Sequence, residues 1–295
     1  MLMNTDGGNT NDELRVQREC RAKLRTIQIQ IGNILARHAN TVKHLNPVVE
    51  KRSALLFAAV CKLQESSDAI LLLGDHGYVD EMNILLRSQV ELVVNVCYLQ
   101  HANDDDLAGF IHHDPIAGYI AMQDIVKASK GALVMPDELA QRVTTQAEDA
   151  KNASGLSLTS RNWDKKNIKQ KADAIDRELD TEDFAGMLAT IYVTGSGCVH
   201  GSYKTLHKHI MYLVHSEEDT PWHTMFGANN VIQGIGYVQL VFARYFAKRF
   251  DLPNERLDEL AHEGQLVCDE MDKDYRRLKS SGSTRRVVPA STKST

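Results

Sequence analysis

Residues 78–100, YVDEMNILLRSQVELVVNVCYLQ, decide the fold. Val79, Met82, Ile84, Leu85, Leu86, Val90, Leu92, Val93, Val94, Val96, Cys97 and Leu99 put apolar surface on nearly every side of the stretch, with no Gly or Pro inside it. That run is too long for a typical strand, despite its β-branched residues at 93–96. It predicts a helix that is apolar all round, and such a helix belongs at the centre of a bundle. Arg87, Glu91 and the acids Asp80 and Glu81 interrupt it too often for a membrane span.

Outward from this segment the periodicity stays helical. Upstream, Leu14, Leu24, Ile27, Ile31, Ile34 and Leu35 recur at helical intervals across 12–38, and after the Asn46-Pro47 turn a second helix is expected over 48–73. Gly74 to Gly77 ends it. Downstream, helices are expected over 104–130, broken or bent near Pro115, and over 136–151, then 163–179, 181–194, 199–215, 223–250 and from about 255 to 278. Residues 152–161, NASGLSLTSR, form a loop too short to separate independent domains. The expected fold is all-α, a multi-helix bundle around the helix at about 78–100, in one domain over 12–279. The polar ends, 1–11 and 280–295, are expected to be disordered.

The composition agrees with this. In 295 residues there are only 6 Pro, 18 Gly and 6% aromatics, too little punctuation for a many-stranded sandwich. Thirty-four basic against thirty-nine acidic residues leave a net charge of -5, which excludes a broad nucleic-acid surface and permits a local contact. Five scattered cysteines without a CxxC pair point to neither a disulfide framework nor a zinc ribbon. Cys61 and Cys97 lie in apolar runs and are expected to be small buried hydrophobes. With no apolar leader and no membrane-length segment, the expectation is a cytoplasmic protein without a bound metal or cofactor.

Two polar ladders carry the functional reading. Asn83, Arg87, Glu91 and Asn95 recur every four residues and form one stripe along the apolar helix. A guanidinium or carboxylate buried without a partner costs several kcal/mol, so Arg87 and Glu91 are expected to pair. They form either a sealed structural ion pair or a mount that turns the arginine fork toward a phosphate or carboxylate. The second ladder, in IYVTGSGCVHGSYKTLHKHI (191–210), places Tyr192, Ser196, His200 and Lys204 four apart. Gly195, Gly197 and Gly201 weaken the helix there and permit close approach of a backbone or a ligand.

These stretches resemble a bacterial all-helical family catalogued as a domain of unknown function. The resemblance is carried by ILLRSQVELVVNVCYL at 84–99, by Trp163 in RNWDKK, and by IYVTGSGCVHGS at 191–202. It covers roughly 50–215, and Arg87, Glu91 and His200 are its most specific part. The Gly195-Ser196-Gly197 run departs from the family pattern and argues against continuous helix there. The chain is more distantly similar to the helical nuclease-type domains of abortive-infection and toxin systems. Their Arg and spaced His signature occurs at Arg37/His44 and Arg256/His262, no more often than chance gives.

The expected function is a ligand-sensing or interaction protein of stress or phage defence, self-associating. Its polar pocket consists of Arg87, Glu91 and His200, with Tyr192, Ser196, Lys204 and Trp163 as ligand contacts. The partner is a phosphate-bearing small ligand or a local RNA contact. The alternative is metal-independent RNA cleavage, with His200 as acid or base and Arg87 steadying the phosphorane.

Overall fold

The computed structural model describes residues 15–45, 51–199 and 220–280. Among these residues every regular element is helical. The first three long helices are α1 (Arg15–Leu45), α2 (Lys51–Asp75) and α3 (Val79–Leu99). The chain turns between α2 and α3 through Gly77, whose φ of 79° only glycine adopts without strain. Next come α4 (Asp104–Ala128) and α5 (Asp137–Ser154), which pair as an antiparallel hairpin. After an irregular stretch follow α6 (Ile168–Leu179), the short α7 (Asp183–Met187), a π-helical turn (Leu188–Tyr192) and α8 (Val193–Val199). The long helices α9 (Thr220–Arg249) and α10 (Glu255–Ser280) complete the bundle.

One core joins residues from Cys20 in α1 to Met271 in α10. The all-round apolar helix is inside, as its sequence requires: Met82, Val90, Val93, Val94, Cys97 and Leu99 are fully enclosed. It shares the centre with α9, whose Phe242 and Phe246 are among the largest buried side chains. The two helices touch at Gly234, where an added Cβ would lie 2.6 Å from Leu86 Cδ2. A polar chain crosses the same core. Gln239 donates to Ser67 Oγ at 2.9 Å, and Gln89 donates to Ser67 and Ser66 at 2.9 and 2.8 Å. These directional bonds fix the relative registers of α2, α3 and α9 more sharply than apolar packing alone.

Several local expectations are corrected. Pro115 does not break the helix over 104–128. The carbonyl that its ring deprives of a donor belongs to Ile111, a residue on the exposed side of the helix. Residues 163–167 are not helical, because Asn167 caps α6: its side chain accepts from Gln170 N at 2.9 Å, and Gln170 Oε1 accepts from Asn167 N. Cys61 is exposed while Cys97 is buried, since Cys61 lies off the buried α2 stripe of Leu56, Ala59, Val60 and Leu63. The Gly195-Ser196-Gly197 run is helical, held against α3 by the contact described next. The expected turn at 46–47, both chain ends and most of the expected 199–215 helix lie outside the described residues.

Candidate functional site

The polar stripe of α3 is a half-buried seam rather than a sealed one: Asn83, Arg87, Glu91 and Asn95 all stand between core and solvent. At its first half α8 and the π turn lie across it. An added Cβ on Gly195 would come within 2.7 Å of Arg87 Cβ and 2.8 Å of Asn83 O, so only glycine permits this approach. The close packing brings Tyr192 over the arginine. Arg87 Nη2 donates to Tyr192 Oη at 3.1 Å, and the guanidinium carbon lies 4.6 Å from the ring centroid, a cation–π contact. From the same helix, Glu91 Oε1 accepts from Arg87 Nε at 3.0 Å. Burial acts to lower the Arg87 pKa, and the hydrogen bonds and charges of Tyr192 and Glu91 more than reverse it.

The guanidinium is therefore fixed on two of its three nitrogens. Among the described residues Nη1 is enclosed and has no hydrogen-bond partner. The Arg87 side chain is 16% exposed and that of Glu91 is 40% exposed, so the pair borders solvent on the glutamate side. The pair is thus buried at the arginine and open to water at the glutamate. The arrangement holds a planar cation still, with one donor edge unfilled, which suits a phosphate or carboxylate oxygen.

The second half of the stripe is occupied differently. Asn95 Oδ1 accepts from Lys171 Nζ of α6 at 2.9 Å. That ammonium lies 3.2 Å from Asp164 Oδ2 and 3.8 Å from the Trp163 ring centroid. Desolvation pulls the Lys171 pKa down and pushes the Asp164 pKa up, each opposed by the charge of the other. Trp163 also packs edge-on against Phe110 with centroids 5.3 Å apart. Its carbonyl rests on Gly109, where a Cβ would lie 2.5 Å away. Beside this cluster Tyr98 donates to Asp106 at 2.7 Å and receives a hydrogen bond from Lys166.

Of the expected site residues, the structure brings Arg87, Glu91 and Tyr192 together. Ser196 is half-buried on α8, one turn beyond Tyr192. Trp163 stands at the other end of the stripe, against Lys171. His200 and Lys204 lie outside the described residues. Sequence reading missed Lys171 and Asp164, which face each other across the start of α6 and meet Asn95 of α3 only through the fold. The dipeptide Trp163-Asp164, next to a capped helix carrying a lysine on the same face as Ala172 and Ile175, was the available signal. Among the described residues no three His, Cys, Asp or Glu side chains converge to hold a metal ion, and no helix is long and apolar enough to cross a membrane.

The stretch that supplies both halves of this seam also carries the relationship to known sequences. Residues 53–219 match a family of unknown function, DUF5677. The chain belongs to this family. No curated protein and no solved structure matches it significantly. The DUF5677 match begins in α2 and spans α3 through α8, so Arg87, Glu91, Tyr192, Trp163 and Lys171 all fall inside it. Helices α1 and α10 and all of α9 lie outside, yet their side chains complete the DUF5677 core: Ile31 and Leu35 of α1 and Phe242 and Phe246 of α9 are fully buried.

Proposed function

We propose that this protein is a ligand-sensing protein that receives an anionic group, a phosphate or a carboxylate, at Arg87. The observation that carries this reading is the unfilled donor edge of Arg87 Nη1 in a guanidinium otherwise held by Glu91 and Tyr192. An unsatisfied charged donor in an enclosed position costs more than the about 1–3 kcal/mol typical of a neutral one. An anionic ligand oxygen removes that cost, and because Nη1 is enclosed it gains access by displacing a neighbouring side chain, the half-exposed Glu91 being the one that borders solvent. Glu91 serves as the mount and Tyr192 as the wall. Ser196, one turn along α8, adds a neutral hydroxyl to the same side, and His200 and Lys204 are assigned as further ligand contacts by their place in the ladder. The sequence resemblance supports a bacterial setting of stress or phage defence, the scattered cysteines support the cytoplasm, and self-association is part of the same proposal.

The test is calorimetric titration of the full chain with inorganic phosphate, pyrophosphate and citrate, at two salt concentrations. Saturable binding is expected, weakened by salt and about tenfold or more by Arg87→Gln, the loss that one charge-assisted hydrogen bond implies. Equal affinity in the wild-type and Arg87→Gln proteins overturns the reading. Cleavage of total RNA that disappears in His200→Ala would establish the RNA-cleaving alternative in its place.

A further inference from the structure

We infer that α1, α9 and α10 enclose a second, separate site, a slot for a small apolar ligand of the size of one aromatic ring or a short alkyl chain. The slot is built from three parallel rows. Its floor is the buried α1 stripe of Leu24, Ile27 and Ile31. One wall is the α9 row Ile232, Gly236, Leu240, and the other is the α10 row Leu260, Gly264, Cys268. In each wall the glycine is the middle residue, one turn from an apolar neighbour on either side, so the two walls are notched at corresponding places.

Glycine inside a helix costs roughly 1 kcal/mol relative to alanine and usually persists where another element must come close. Gly195 and Gly234 are of that kind, each pressed by α3 to within 2.7 and 2.6 Å of an added Cβ. Gly236 and Gly264 are not. Among the described residues nothing lies within 4 Å of a Cβ built at either. Two helix-weakening residues thus leave a space instead of a contact. The resulting cavity holds about 130 Å³, close to the about 150 Å³ of an engineered apolar cavity that admits benzene.

The chemistry of the lining fixes the ligand class. No charged side chain borders the slot; its interior is aliphatic, and the polar groups at its edge are the amides of Gln233 and Gln265 and the half-buried Tyr237. Cys268 is no nucleophile there, because burial pushes its thiol up to about 11. The slot therefore takes an uncharged apolar body and offers an amide at its mouth to a single polar end, as in a hydroxylated alkyl chain or an indole. An anion of the kind proposed for Arg87 finds no partner in it, so the two sites are distinguishable by ligand.

The experiment uses benzene, indole and 1-hexanol as probes on the full chain. Expected are a saturable rise in Tm of a few degrees well above Kd for at least one probe, and saturable chemical-shift changes at the methyl groups of Ile232, Leu240 and Leu260. Gly264→Leu fills the notch and should raise Tm by itself while removing the probe-induced rise. Gly236→Ala, a smaller filling, should reduce the rise if the larger side chain disturbs the fold. Gly118→Leu, on the exposed face of α4, should leave it unchanged. No Tm response to any of the three probes, or a response that both slot variants retain, overturns the inference.

Discussion

Arg87 stands on the polar stripe of α3, and Lys171 of α6 reaches the same stripe two turns further on at Asn95, yet the fold treats the two cations in opposite ways. Lys171 is surrounded: Asp164 supplies its countercharge, Asn95 a hydrogen-bond acceptor and Trp163 a π face, with side chains 6% and 3% exposed for the lysine and aspartate. Arg87 has equivalents of the same three partners in Glu91, Tyr192 Oη and the Tyr192 ring, yet keeps an enclosed nitrogen unfilled and a countercharge 40% exposed. Asp164 Oδ2 also makes no hydrogen bond among the described residues, so what marks the Lys171 end as structural is that both charges are dry and face each other at 3.2 Å. An incomplete set at the edge of solvent is what a binding site needs.

The largest effect that would break this comparison is on stability at the enclosed end. Lys171→Met leaves Asp164 charged and buried without its ammonium, and the expected loss is about 3–5 kcal/mol in urea unfolding. Lys171→Met combined with Asp164→Leu should recover most of it, because the pair is held against a large desolvation cost. Arg87→Gln should cost clearly less, since Glu91 can turn to water. Equal losses at the two positions would show that Arg87 is as structural as Lys171.

The same pair predicts a pH profile. Burial raises the Asp164 pKa above its usual 3.8, so its favourable contribution is complete below that value and is lost as pH rises through the folded pKa. Burial lowers the Lys171 pKa below its usual 10.5, so its contribution is complete above that value and is lost as pH falls through the folded pKa. The wild-type protein should therefore gain stability relative to the double variant toward both acid and alkaline pH, with the smallest difference between the two folded pKa values. Parallel unfolding curves at acid, neutral and alkaline pH for the two proteins would contradict this.

Gly195→Ala tests the other end through packing. Its new methyl meets the Arg87 Cβ at 2.7 Å and the Asn83 carbonyl at 2.8 Å, a stem carbon and a backbone atom that cannot swing aside. The overpacking should cost about 1–3 kcal/mol and lift Tyr192 from the guanidinium, weakening phosphate binding together with stability. Gly118→Ala, on an open surface of α4, is the control and should be neutral or slightly stabilising. A Gly195→Ala protein as stable as wild type would mean that α8 sits further from α3.

What the sequence made legible follows the range of the interactions. The central helix, its polar stripe and the pairing of Arg87 with Glu91 rest on contacts within one turn, and the four-residue spacing states them directly. Gly195 was recognisable as a point of close approach because glycine in a helix needs a reason, though not that Arg87 itself was the neighbour. Lys171 against Asn95 spans 76 positions, and nothing in local periodicity links a lysine on a short amphipathic helix to an asparagine on the core helix. The slot was hidden for the same reason: Gly236 and Gly264 look alike in sequence to the tightly packed Gly234, and only the path of α10 separates a void from a contact.

The smallest expected effect on binding isolates the open nitrogen. Tyr192→Phe keeps the ring under the guanidinium and removes only the oxygen that accepts from Nη2, so the stability loss should be about 1.5–3 kcal/mol, the range for a hydrogen bond from a charged group. The Nε bond to Glu91 still orients the fork. Nη1 then remains the donor that meets the ligand, and phosphate affinity should change by less than about tenfold, because no charge-assisted bond to the anion is lost. A loss as large as that of Arg87→Gln would mean that the Tyr192 hydroxyl, not Nη1, contacts the anion. The site would then be a tyrosine-gated one, with Arg87 acting through its neighbour.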